Sequence, residues 1–84
     1  MISMTSPFII GDRVYLATAP PYIKTADTMP MLRPGDTVPV GEQGVILEQK
    51  PGSYWTVKFE QGAFLVDTSY LEKVVFGNDS PEEE

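Results

Sequence analysis

Asp27, Asp36 and Asp67 are the side chains most able by type to form an acid–base pair, and their setting speaks against it. The first two fall among prolines and the third at a polar corner, positions where aspartate is favoured for bonding nearby backbone amides. Ser3, Ser6, Ser53, Ser69 and Ser80 have no histidine to deprotonate them, because the chain contains none. Cysteine is also absent, which removes a thiol nucleophile, thiolate metal ligands and disulfides. Gly41 and Gly44 lead into a β-branched run rather than a helix, so no helix N-terminus follows to cradle a phosphate. No spacing of acids points to a hard-cation site. The inventory predicts no catalytic residue, no cofactor and no metal, and turns attention to binding.

Composition bounds what kind of binding. In 84 residues, 42% are hydrophobic and 11% aromatic, enough for one small core and one domain. Six Lys and Arg face twelve Asp and Glu, for a net charge of −6, which repels phosphate backbones and excludes nucleic acid as the first partner. Four of the twelve acids lie in Gly77–Glu84. That stretch has no apolar residue and is expected to be a disordered acidic tail, as residues 1–7 are expected to be a flexible start. The domain is then residues 8–76. No stretch approaches the ~20 apolar residues of a membrane span, and the start lacks the basic and apolar regions of a secretory signal. The expectation is a soluble, cytoplasmic protein with no direct membrane insertion.

The elements that must position any binding residue read as short strands. Arg13–Ala17 alternates, with Val14 and Leu16 on one face. Gly44–Gln49 follows, then Tyr54–Glu60, where Trp55, Val57 and Phe59 point one way and Tyr54, Thr56 and Lys58 the other. Lys50-Pro-Gly-Ser53 is read as a hairpin loop and Gln61-Gly62 as a two-residue turn into Ala63–Asp67. Asp67-Thr-Ser-Tyr reads as one helical turn before a last strand, Leu71–Phe76. The sum predicts an all-β fold, a small SH3-like antiparallel barrel of about five strands. A closed barrel has no edge that must pair, so a monomer is expected.

One segment does not fit a plain barrel. Thr18–Val40 shows no strand-length alternation and holds five of the eight prolines. Unstructured connections longer than about 12–15 residues are uncommon in compact domains and tend to be functional. This long Pro-rich loop after the first strand carries Tyr22, Met31, Leu32 and Arg33, residue types enriched at interfaces, with Lys24 and Asp27 as charged neighbours. Trp55 is the seventh partner-binding candidate and reads two ways: periodicity puts it with Val57 and Phe59 in the core, yet it sits one residue inside a hairpin, where an indole often stays half exposed.

Four segments carry a resemblance: Pro20-Pro-Tyr-Ile-Lys-Thr-Ala-Asp-Thr-Met-Pro-Met-Leu-Arg-Pro34, Val40-Gly-Glu-Gln-Gly-Val45, Tyr54-Trp-Thr-Val-Lys-Phe59 and Gly62-Ala-Phe-Leu65. Together they resemble the SipA family of small cyanobacterial regulators. The resemblance implies a non-catalytic adaptor that binds the catalytic, ATP-binding domain of a sensor histidine kinase of the NblS type. It would modulate autophosphorylation in stress and high-light two-component signalling. The alternative from another class is a structural accessory subunit of a photosynthetic electron-transfer complex. Such subunits often dock acidic ferredoxin through a basic face, and the net charge of −6 with no cluster of lysines weighs against this alternative.

Overall fold

The computed structural model describes residues 7–75. The expectations for a flexible N-terminus and a disordered tail, residues 1–7 and 77–84, lie outside it apart from Pro7, as does Phe76. Seven strands follow in chain order: β1 Arg13–Leu16, β2 Tyr22–Thr25, β3 Leu32–Pro34, β4 Gln43–Gln49, β5 Tyr54–Phe59, β6 Gly62–Asp67 and β7 Leu71–Lys73. Two single 3-10 turns, Gly35–Thr37 and Thr68–Tyr70, link β3 to β4 and β6 to β7. All pairings are antiparallel, and the order across the sheet is β3-β2-β6-β5-β4-β1-β7. The all-β reading stands, with seven strands in place of five and an arrangement compatible with an SH3-like barrel.

Alternation dictates the core. Val14 and Leu16 of β1, Ile46 of β4, Trp55, Val57 and Phe59 of β5, and Phe64 and Val66 of β6 are buried in one cluster. Since strands from across the sheet feed the same cluster, the sheet wraps around it. Phe8 closes one end, its ring edge-on to Trp55 at 5.4 Å and 71°. Trp55 is therefore core. Its indole Nε1 donates to Thr68 Oγ1 at 2.7 Å, so the ring is packed and its polar atom engaged.

The segment Thr18–Val40 differs from its sequence expectation: it contains β2, β3 and a 3-10 turn rather than an unstructured loop. In β2, Ile23 and Thr25 are buried while Tyr22 and Lys24 face out, an alternation of four residues too brief to stand out between prolines. All of β3 is exposed, as suits a short edge strand, and Pro34 costs no ladder bond there. Thr25 closes the intervening loop from both sides. Its N–H donates to the Met31 carbonyl at 2.9 Å, and its hydroxyl accepts from Met31 N at 2.9 Å. Gly35 pins the far end: a Cβ there would overlap the carbonyl oxygen of Pro20, so the chain after β3 lies directly on the chain before β2.

Candidate functional site

On its outer face the sheet carries two parallel cross-strand rows. Register places Lys24 of β2 opposite both Leu32 of β3 and Leu65 of β6, Leu65 opposite Thr56 of β5, and Thr56 opposite Glu48 of β4. Two residues along, the second row runs from Pro34 through Tyr22, which the continued register sets across from Asp67, and on to Tyr54. Lys50 closes it, donating its N–H to the Tyr54 carbonyl at 3.0 Å. Residues two apart on a strand share a face, so both rows look outward, opposite to Ile23, Val66 and Trp55.

A bulge in β4 makes the first row possible. Ile46 faces the core opposite Val57, and simple alternation would send Glu48 inward with it. The register shifts between Ile46 and Glu48, so Leu47 becomes the extra residue and Glu48 turns outward opposite Thr56.

Around these rows lies a groove of about 990 Å³. Lys24, Leu65 and Thr56 line its middle; Tyr22, Tyr54 and Tyr70 contribute three phenol rings; Pro20, Pro21, Pro30 and Pro51 stiffen its margins. The charged groups are largely committed to one another or to the backbone. Lys50 Nζ lies 3.1 Å from Glu48 Oε1. Asp67 accepts from Ser53 Oγ at 2.9 Å and from Ser69 N at 2.9 Å. The backbone amide of Ser69, followed by the Ser53 hydroxyl, holds the Asp67 carboxyl below its ordinary range. Lys24 and Asp27 have no ion-pair partner among the described residues. Thr56 is 7% exposed, and its hydroxyl has no hydrogen-bond partner among the described residues.

Four of the seven sequence candidates meet at this groove: Tyr22, Lys24, Asp27 and Leu32. Arg33 does not. Alternation along β3 turns it to the other side, into a second hollow of about 440 Å³ with Thr25, Asp27, Thr37 and Gln61. Met31 is exposed at the base of the β2–β3 connection, beside β3, and lines neither hollow. Trp55 is 2% exposed and cannot meet a partner without unfolding β5. Sequence reasoning missed Thr56, Tyr70 and Pro51. The period-two pattern of β5 already puts Tyr54 and Thr56 opposite Trp55, but nothing local says which strands will lie beside them.

Comparison with known proteins gives these residues a family. The chain matches the family described as "Protein CHLORORESPIRATORY REDUCTION 42-like" over residues 10–71. Among curated relatives, the Arabidopsis thaliana "Protein CHLORORESPIRATORY REDUCTION 42, chloroplastic" is 36% identical over 64 residues, which is 75% of this chain and 53% of that protein. The chain thus spans about half the length of this relative. No solved structure matches.

These matches correct the reading of function. All four segments that carry the SipA resemblance fall inside residues 10–71, so they are features of this other family, and the SipA assignment does not stand. With it fall the sensor histidine kinase as partner and the role in two-component signalling. The expected cytoplasmic setting falls too, since the relative is a chloroplast protein. Every residue of the 990 Å³ groove, from Pro20 to Tyr70, lies within the matched span, and the chain belongs to the CRR42-like family.

Proposed function

We propose that this protein is a non-catalytic accessory protein of a photosynthetic electron-transfer complex, and that it docks through the tyrosine- and proline-lined groove. The observation that carries the reading is the 36% identity, over three quarters of the chain, to a chloroplast protein named for chlororespiratory reduction. Site chemistry supports binding over catalysis. The carboxylates of the groove are tied up by Lys50, Ser53 and Ser69 or stand alone at the margin, and the carboxylate beside the Ser53 and Ser69 hydroxyls, Asp67, is held below its ordinary range and is a weak base for activating them.

The acidic charge of the chain opposes one kind of electron-transfer contact and not another. A net charge of −6 opposes docking of acidic ferredoxin through a basic face. It does not oppose contact with a complex subunit through an apolar, aromatic groove, where Tyr and Pro supply area at small entropic cost.

The test is affinity purification of the tagged full chain from its host under mild detergent, with mass spectrometry of what accompanies it. Subunits of one electron-transfer complex should be enriched, and disruption of the gene should lower that complex's abundance. Recovery of a sensor kinase instead, with the complex unaffected by disruption, would overturn the reading.

A further inference from the structure

We propose that the groove takes a proline-rich segment of the partner, lying across the strands in polyproline II conformation and carrying net positive charge. This rests on the groove being the docking surface of the proposed function and names the chemistry it recognises.

Spacing is the first argument. Tyr22 and Tyr54 stand on one cross-strand row with Asp67 between them, two interstrand steps apart. Two such steps measure about 9.5 Å. A polyproline II helix makes one turn in three residues, about 9.3 Å. A segment running along the row therefore presents the same face to Tyr22 and, one turn later, to Tyr54. A β-strand, which repeats its face about every 6.8 Å, falls out of step with the two rings.

Donor and acceptor types agree. A polyproline II backbone has no internal hydrogen bonds, and its prolines offer carbonyl acceptors without N–H donors. The groove answers with hydroxyls: Tyr22, Tyr54 and Tyr70 at its walls and Thr56 in its floor. Thr56 is the telling group, because its hydroxyl is buried and unpartnered among the described residues. Such a group costs free energy unless something bonds it.

Charge selects the sign of the segment. The lining holds Asp27, Glu48 and Asp67 against Lys24 and Lys50, one negative charge in excess, on a chain of net charge −6. A Lys or Arg beside the prolines is complementary to Asp27 at the β2 end, whereas an acidic segment is repelled. The groove walls require no ordering on binding, since Pro20 is fixed against Gly35 and Pro51 sits in the β4–β5 hairpin.

The experiment titrates the full 84-residue chain with a synthetic peptide of three Pro-Pro-Lys repeats. The controls are a Pro-Pro-Glu peptide and a Gly-Ser-Lys peptide of equal length. Amide shifts of the labelled protein should saturate with Pro-Pro-Lys and map to Tyr22, Tyr54, Thr56 and Tyr70. The Pro-Pro-Glu peptide should bind more weakly, and Tyr54→Ala should weaken the Pro-Pro-Lys complex at least about tenfold. Thr56→Val should weaken it while leaving the thermal midpoint equal or higher, a pairing that a merely structural hydroxyl would not give. Asp27→Lys, an exposed change that leaves the fold intact, should reverse the preference between the two proline peptides. Equal binding of Gly-Ser-Lys, or shifts scattered away from the groove, overturns the proposal. If the peptides fail but Tyr22→Ala and Tyr54→Ala still abolish recovery of the complex, the segment is wrong and the docking surface survives. If complex recovery is untouched by both variants, the docking surface falls as well.

Discussion

Trp55 and Thr68 are joined by a 2.7 Å hydrogen bond from the indole Nε1 to the threonine Oγ1, tying the central strand to the turn after β6. Thr68 passes the connection on: its hydroxyl donates to the Ser53 carbonyl at 2.7 Å, and its backbone N–H donates to the same oxygen at 2.8 Å. One threonine thus fastens the only tryptophan, the β4–β5 hairpin and the 3-10 turn that brings Tyr70 to the groove.

Thr68→Val keeps the shape and removes the acceptor, leaving the indole N–H unpaired at a largely buried position. The expected cost is about 1–3 kcal/mol. Urea unfolding followed by tryptophan fluorescence should show a lowered midpoint with an unchanged slope. An unaltered midpoint would mean that the indole finds another acceptor.

Gly35 and Gly41 make a paired test of why a glycine is needed. At Gly41, φ is +97° with nothing within 4 Å, so alanine meets only backbone strain, of about 1–2 kcal/mol. At Gly35 the backbone is not left-handed, but a Cβ would run into the carbonyl of Pro20 and crowd Pro21. Backbone cannot step aside as a side chain does, so Gly35→Ala should cost about 3 kcal/mol or more and shift amide signals along Tyr22–Thr25. Equal thermal midpoints for the two variants would contradict the close approach.

How far the sequence foretold this follows from which signals are local. The strands of β1, β4, β5 and β6 are written in alternation that needs no partner to be read, and Trp55, Val57 and Phe59 fall inward as that pattern requires. β2 and β3 escape because they are four and three residues long among prolines, and a hairpin this short exists only by pairing with β6. The groove is legible in halves. Tyr22, Lys24, Asp27 and Leu32 stand out in the loop, but Thr56 and Tyr70 join them only through register across the sheet. Arg33 misses the groove for a related reason: once Leu32 is fixed on the outer row, its neighbour must face the other way.

Asp67 gives the protein an acid-sensitive corner. Its Oδ1 accepts from Ser69 N at 2.9 Å and from Ser69 Oγ at 3.1 Å, and its Oδ2 accepts from Ser53 Oγ at 2.9 Å. These bonds favour the charged form, so the folded-state pKa lies below the unfolded value. The stability they bring is fully present above the ordinary carboxylate range near 3.9 and is lost as the pH falls through the lowered value. Thermal midpoints between pH 6 and pH 2.5 should therefore fall less steeply for Asp67→Asn than for the native chain. Parallel curves would show that the corner is not linked to folding.

Glu42 is the counterpart at the opposite end of the sheet, where its two carboxylate oxygens divide the β5–β6 turn between them. Oε2 accepts from the backbone N–H of Glu60 at 3.1 Å, and Oε1 accepts from Gln61 Nε2 at 2.8 Å. Gly62, at φ +139°, lets the chain reverse just beyond, but the turn residues themselves are exposed and have little packing to hold them. The carboxylate thus braces the turn beyond the last ladder pair, Phe59 and Gly62. Because the site is wet, Glu42→Ala should cost only about 1 kcal/mol globally. Its local effect should be larger: faster amide hydrogen exchange at Glu60, with little change at Val57 in the strand interior. Glu42→Gln, which retains one acceptor oxygen, should fall between the two. If Glu60 exchanges no faster in Glu42→Ala, the turn is held by its own backbone and the carboxylate only rests against it.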